Sequence, residues 1–390
     1  MCNLHIPFPQ LLSMTQSTPK RIALVLGGGG LKGFAHIGVL RALAERGIDP
    51  VVIAGTSIGA LAAAAFTSGA TVDDMAKQAL ALRRRDLFRI NHVGMVLERL
   101  RNPAIYLEHP LRALIEAAVP DVQFDDLRRR LLVNTVDLAR GTQVVWGLRG
   151  LRDVSIRDAV YASCALPGFF PPGLVSGRIC VDGGVVDNLP VALAGQGMDA
   201  VIAVDVGSTA LLPQDDVATQ GFAGIYMRAA TTMMHELQLR PLHMWGGPPM
   251  VLVRPLVAHV DWFEFSRTAE LIEAGYTAAT QALQQYDAWI NSSGGVFPRQ
   301  AYRLAVNATA CIGCGFCVAL APEIMAMTEH GKAVVKEPSV EWSPADGEFV
   351  RQCPTGAILA VATSSADGGF PAESNVFEPQ KQVTADVSHK

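Results

Sequence analysis

Ser57 stands in Gly55-Thr56-Ser57-Ile58-Gly59, between the apolar run Val51-Val52-Ile53-Ala54 and an alanine-rich run over 60–66. A short apolar run, a Gly-x-Ser-x-Gly turn and a helix-forming segment read as strand, sharp turn and helix, which exposes the serine Oγ with a helix N-terminus behind it. Such a hydroxyl is a candidate nucleophile, and Gly55 and Gly59 suit a tight elbow whose backbone a Cβ would oppose. Gly and Ser also abound in ordinary turns, so the pentapeptide needs partners before it means catalysis. Asp182 is one: it follows the short strand-like run Arg178-Ile179-Cys180-Val181 and precedes Gly183-Gly184. An acid on the last residue of a strand lies at the carboxyl edge of the sheet, where open α/β folds place ligands and where Ser57 also falls. The same Asp-Gly-Gly would equally cap a turn.

A third stretch supplies donors. Gly27-Gly28-Gly29-Gly30-Leu31-Lys32-Gly33 follows the apolar run Arg21-Ile22-Ala23-Leu24-Val25-Leu26 and opens a helical pattern over 34–46. Strand, glycine loop, helix and the strand before Ser57 make a βαβ unit. Gly28-x-Gly30-x-x-Gly33 fits the dinucleotide fingerprint, yet no acidic residue closes the next strand to hold a ribose. With a serine elbow following at once, the amides of Gly28, Gly29, Gly30, Leu31, Lys32 and Gly33 read better as an oxyanion hole, each donor typically worth about 3 kcal/mol in the transition state. Lys32 would anchor the loop, add positive potential or simply face solvent.

The elements that must position these groups need a full core, and 390 residues, 50% hydrophobic and 17% charged, can supply it as one large domain or two. A net charge of −4 argues against nucleic acid. Residues 1–19 carry no Lys or Arg and read as a disordered leader, not a signal peptide, with Met14 an alternative start. The uncharged stretch 51–72 is broken by the elbow and fits a buried strand and helix better than a membrane span. Scattered Cys2, Cys164 and Cys180 point to reduced thiols and the cytosol. The run Arg83-Arg84-Arg85-Asp86-Leu87-Phe88-Arg89, continued over 95–101, mixes cations with bulky apolar groups as an interfacial helix, a lid or a solvated helix face would. Segments 131–136 and 143–146 read as a hairpin, 201–205 and 250–254 as strands, and 221–239 and 266–290 as helices, the first carrying Met227, Met233 and Met234.

Gly28-Gly29-Gly30-Leu31-Lys32-Gly33, Gly55-Thr56-Ser57-Ile58-Gly59 and Asp182-Gly183-Gly184, in this order and with Ala162-Ser163-Cys164-Ala165-Leu166-Pro167-Gly168-Phe169-Phe170-Pro171-Pro172 before the last, resemble the patatin-like phospholipases. The resemblance covers about residues 20–290. It implies an α/β fold with a mostly parallel central sheet and helices on both faces. It also implies a dyad in which Ser57 attacks an acyl ester of a lipid, Asp182 takes its proton and the 28–33 amides hold the oxyanion, as in a phospholipase A or lysophospholipase. Asp-Gly-Gly stands here where many members have Asp-Gly-Ala. Expected partners are a lipid or acyl-ester substrate and, peripherally, the inner face of the membrane. The rival mechanism is a Ser-Asp-His triad using His235, His243 or His259, against which stands the oxyanion-type loop a single βα step before the elbow.

Asn291-Ser292-Ser293-Gly294-Gly295 opens a linker over 291–300, and the chain then changes character. Cys311-x-x-Cys314-x-x-Cys317 with Cys353-Pro354 supplies four thiolates, the complement of one [4Fe–4S] cluster. Ala321, ahead of Pro322, stands where a two-cluster ferredoxin would carry a further cysteine, so one cluster is expected. Zinc is the alternative, but zinc ribbons usually pair two separated Cys-x-x-Cys hooks. Residues 301–361 resemble a small α+β single-cluster ferredoxin domain, and 362–390 read as a disordered tail. The cluster would be a redox switch on the hydrolase, a route to a redox partner or a structural staple. A non-enzymatic reading, an electron-transfer module fused to a lipid-binding patatin scaffold with little hydrolase activity, stands beside these.

Overall fold

The structure, a computed structural model, describes residues 20–90, 104–207, 217–219 and 221–363. β1 (Ile22–Leu26), helix α1 (Ala35–Glu45), β2 (Val52–Thr56) and helix α2 (Ile58–Thr67) form the βαβ unit expected from the glycine loop. β3 (Arg130–Asp137) and β4 (Thr142–Trp146) make one hairpin, and β5 (Gly173–Val175) and β6 (Arg178–Asp182) another. β7 (Ala200–Val204), β8 (Met250–Val253) and β9 (Val296–Phe297) complete a nine-stranded sheet of order β5-β6-β3-β2-β1-β7-β8-β9, with β4 on β3. The six central strands β1, β2, β3, β7, β8 and β9 are parallel. Alternate residues of β1 enter different cores, Ile22, Leu24 and Leu26 on one face and Ala23 and Val25 on the other, as in a strand covered on both sides. On the first face α1 crosses the helix Thr268–Ala282 backbone against backbone: a Cβ on Gly38 would lie 1.9 Å from the Ile272 carbonyl oxygen, and one on Gly275 equally close to that of Ala35.

The registers of β3 explain how an antiparallel strand serves the site. β2 and β4 both pair with Val133 and Asn134, so they flank β3 on opposite edges; β4 and β6 both pair with Thr135 to Asp137, so they too are on opposite edges. β6 therefore takes over the edge that β2 leaves. Thr56 is level with Asn134 and Asp182 with Thr135, one residue on. Asp182 reaches the carboxyl edge by descending toward it from beyond, not by ending a parallel strand there as the sequence reading supposed.

The 266–290 segment is two helices, Thr268–Ala282 and Tyr286–Ile290, and the break lets Trp289 and Ile290 turn into the core. Within the expected linker 291–300, Val296 and Phe297 pair with Met250 and Val251, so the main sheet extends past the helical domain boundary. Arg84–Leu87 is a single helical turn that buries Leu87 and exposes its arginines, while 95–101 lies outside the described residues, as do the leader 1–19 and tail residues 364–390. In the C-terminal unit β10 (Gln300–Val306) lies between β13 (Ser339–Trp342) and β14 (Ile358–Ala362), beside the small hairpin of β11 (Met325–Met327) and β12 (Ala333–Val335). Its core gathers Leu304, Met325, Trp342 and Phe349 around Cys311 and Cys317. No helix of the described residues is long and apolar enough to cross a membrane.

Candidate active site and cluster site

Ser57 joins β2 to α2 with φ 55° and ψ −128°, a backbone conformation that costs a residue with a side chain about 1–3 kcal/mol. Close packing enforces it: a Cβ on Gly59 would lie 2.1 Å from the Leu26 carbonyl oxygen, and one on Gly55 2.4 Å from that of Gly59. The Ser57 amide donates to Ser163 Oγ at 2.9 Å, and Ser163 in turn donates to the Asn134 carbonyl at 2.6 Å. Ser57 and Asp182 line the same cavity, close enough that the Ser57 side chain draws the Asp182 pKa down. Asp182 is buried, its Oδ1 accepts the Gly184 amide at 2.8 Å, and burial pushes its pKa up to about 6 against the pull of the Ser57 side chain and the Gly184 amide.

The glycine loop passes over the nucleophile, since a Cβ on Gly28 would lie 3.2 Å from Ser57 Cβ and 2.5 Å from Asn188 Oδ1. The Leu31 amide is donated to the Trp262 carbonyl at 2.9 Å, and that of Gly28 to the Asn188 carbonyl at 3.4 Å. Gly29 and Gly30, the latter at φ 58°, donate to no backbone carbonyl among the described residues. Gly33 gives room to Ile58, whose Cγ2 would lie 2.1 Å from an added Cβ. Lys32 is buried rather than solvated; burial pushes its pKa down, opposed by Asp261 and Asp205. His36 is buried too, its pKa pushed down to about 4 by burial, so the neutral ring donates from Nε2 to the Gly27 carbonyl at 2.8 Å.

Beside Ser57 and Asp182 opens an apolar cavity walled by Leu61, Leu87, Phe88, Phe170 and Phe263. A second shares Phe34, Ile58, Leu61, Leu82 and Leu114 with it and runs on toward Met75 and Ala118. Phe88 packs tilted on Tyr106 and edge-on to Phe263, with ring centres 4.8 Å and 4.9 Å away. Cys164 also lines the first cavity, and burial, with Asp182 adding to it, raises its thiol pKa well above the usual value, which leaves it inert as a nucleophile.

In the C-terminal unit Cys311, Cys314, Cys317 and Cys353 are free thiols. The Ala333 amide points at Cys311 Sγ (3.5 Å) and the Ala357 amide at Cys353 Sγ (3.3 Å). Amide bonds from Ala333 and Gly313 lower the Cys311 pKa; at Cys353 burial opposes, and amide bonds from Thr355 and Ala357 prevail; burial raises Cys317. Gly313 and Gly315 hold φ near +73° and +74°, and a Cβ on Gly313 would meet the Gly331 carbonyl oxygen at 2.2 Å. Four thiols, with backbone amides directed at the sulfurs of Cys311 and Cys353, fit the donor set and second shell of an iron–sulfur cluster.

Residues 24–194 match the family model of patatin-like phospholipase, and residues 306–359 that of the 4Fe-4S single cluster domain of ferredoxin I. The chain joins a patatin-like phospholipase domain to a single-cluster ferredoxin-type domain. An uncharacterized NTE family protein of Mycobacterium tuberculosis is 37% identical over 217 residues, 54% of this chain and 56% of that one. Lysophospholipase NTE1 of Pyricularia oryzae is 28% identical over 295 residues, 68% of this chain and 18% of its own. The match thus spans about half or less of these curated relatives. Among solved structures, VipD from Legionella pneumophila aligns at a TM-score of 0.38 with 17% identity, over 70% of this chain and 68% of that one.

Within the patatin-like domain the structure brings Ser57, Asp182 and the 28–30 glycines together. It keeps the three downstream histidines on other carboxylates: His235 faces Glu348 at 3.5 Å, His243 Asp346 at 3.7 Å and His259 Glu270 at 2.7 Å. Sequence reasoning missed Ser163, Asn134 and His36. Asn188, which no sequence motif ties to the loop, donates from Nδ2 to the Gly28 carbonyl at 3.1 Å and so holds it. Ser163 lay in view within the small-residue stretch before Pro167; nothing in its spacing tied it to Ser57.

Proposed function

We propose that the patatin-like domain is a serine hydrolase of acyl esters, of phospholipase A or lysophospholipase type, working through the Ser57–Asp182 dyad. The supporting observation is one hydroxyl beside a buried carboxylate in the lining of an apolar cavity, near two loop amides that donate to no backbone carbonyl among the described residues. Ser57 Oγ attacks the acyl carbonyl as its proton passes to Asp182, and Gly29 and Gly30 receive the oxyanion. Collapse expels the alcohol, which takes the proton back from Asp182. Water then attacks the acyl-enzyme with Asp182 again the base, releasing the fatty acid and restoring Ser57. A base with a pKa near 6 is ionised at neutral pH yet strong enough to accept the proton.

The two cavities would take the acyl chain. Exposed Arg84 and Arg85, beside Leu87 and Phe88 at the cavity wall, would meet anionic lipid at the inner membrane face. Cys311, Cys314, Cys317 and Cys353 would hold one [4Fe–4S] cluster, which when bound supplies a one-electron couple and a structural tie. Labelling of the purified chain with a fluorophosphonate, wild type against Ser57→Ala, tests the reading: labelling confined to wild type supports it. An unlabelled wild type leaves the electron-transfer module on a lipid-binding scaffold.

A further inference from the structure

Among the contacts the ferredoxin-type domain makes with the patatin-like domain, two lead to the oxyanion loop. The first lies on the helix Gly221–His243. His235, buried, faces Glu348 of the helix Glu348–Arg351, whose next residues run into Cys353; the Cys353 amide donates to the Val350 carbonyl at 3.3 Å. Three residues along the same helix, buried Gln238 accepts from Asn188 Nδ2 at 3.3 Å, and that nitrogen also holds the Gly28 carbonyl. Met234, next to His235, packs on the turn after Asp182, where a Cβ on Gly184 would lie 2.7 Å from its Cε. The second is Arg254, half-buried just past β8, whose guanidinium donates to the Pro344 carbonyl and lies 3.6 Å from Asp205 Oδ2. Asp205 Oδ1 accepts the Gly207 amide at 3.3 Å, and Gly207 backs the loop so closely that a Cβ there would be 2.2 Å from the Gly28 carbonyl oxygen.

We propose that His235, Glu348 and Arg254 are positioning residues through which the cluster-bearing domain holds the Gly28–Gly30 amides over Ser57, so that cluster occupancy is felt at the hydrolase site. The inference rests on the proposed roles of that loop and of the four cysteines. Its physical basis is that a small metal-bound domain takes much of its order from the metal, and Glu348 and Pro344 lie on the segment that leads into Cys353. A coupling of this kind typically amounts to 5–150-fold between two sites.

Hydrogen–deuterium exchange on the full chain tests it, comparing the cluster-loaded protein, the same protein stripped by chelator, and loaded His235→Ala, Glu348→Gln and Arg254→Met. Stripping is expected to speed amide exchange in peptides spanning 27–34 and 184–190 about tenfold. The three loaded variants should reproduce several-fold of this with cluster absorption unchanged, His235→Gln should restore part of the protection, and His259→Ala should leave exchange as in wild type. Glu348→Gln, a partly exposed and conservative change, keeps the test open if Arg254→Met fails to fold. Unchanged exchange on stripping overturns the proposal. So does a wild-type pattern in loaded His235→Ala and Glu348→Gln. Fluorophosphonate labelling of Ser57 in the same samples separates the two readings: absence of label in the loaded wild type removes the hydrolase, while the exchange pattern still decides the coupling.

Discussion

Asp182 is asked to do opposite things by folding and by chemistry. Its pKa of about 6 lies above the ordinary carboxylate value of 3.8, so the folded chain binds this proton more tightly than the unfolded one. Stability from this group therefore rises as pH falls from about 6 toward 4, and at pH 7 the buried charge costs on the order of 3 kcal/mol. Activity needs the charged form, so kcat/KM for an ester should climb with pH through about 6 and then level off. A profile flat from pH 5 to 8 would remove Asp182 as the base. Asp182→Asn should lower kcat by about 10⁴ while raising the melting temperature at pH 7, an advantage that shrinks toward pH 4; calorimetry at both pH values reads this. Ser163→Ala removes the tether on the Ser57 amide and should cut labelling by about 10–100-fold, a loss comparable to that of one positioning hydrogen bond in a transition state.

The elbow and the glycine loop work because neither leaves space for a side chain. Gly28→Ala would drive a methyl toward Asn188 Oδ1 and Ser57 Cβ, and Gly59→Ala one into the Leu26 carbonyl. The first should fold and lose turnover by about 10²-fold, as for a displaced oxyanion donor; the second should lose soluble protein, since the clash is with the backbone of the central strand. α2 and the helix Glu108–Ala118 face each other across the two cavities through Leu61 and Leu114. Leu61→Trp or Leu114→Trp should therefore shift preference toward short acyl chains, read as the ratio of kcat/KM for butyrate and long-chain esters; an unchanged ratio would place the chain elsewhere. The elements themselves were largely legible: continuous apolar runs gave β1, β2 and β7 within a residue or two. What could not be read was the direction of β6, because a short run such as Arg178 to Val181 carries the same pattern whether its neighbour is parallel or antiparallel.

At the scale of the whole molecule the question is why a chain with a patatin-like domain carries four cysteines beyond it. Iron analysis of anaerobically purified protein should give about four iron atoms per chain, with broad visible absorption, and Cys353→Ser should lose most of both. Chelation should also lower the melting temperature of the full chain, because the core of the smaller domain is built around Cys311 and Cys317. An unaltered melting curve after complete iron loss would separate the cluster from folding.

From the order and spacing of residues alone come the serine elbow, the acid, the glycine loop and the cysteine set, because each depends on local backbone freedom or on the chemistry of a side chain. The tertiary structure decided the rest. Which loop amides remain unspent depends on Trp262 and Asn188, more than a hundred residues away; that Lys32 and His36 are buried depends on the packing above them. The contact of Glu348 with His235 joins two domains whose sequences show no trace of each other, since complementarity across an interface exists only once both surfaces are folded.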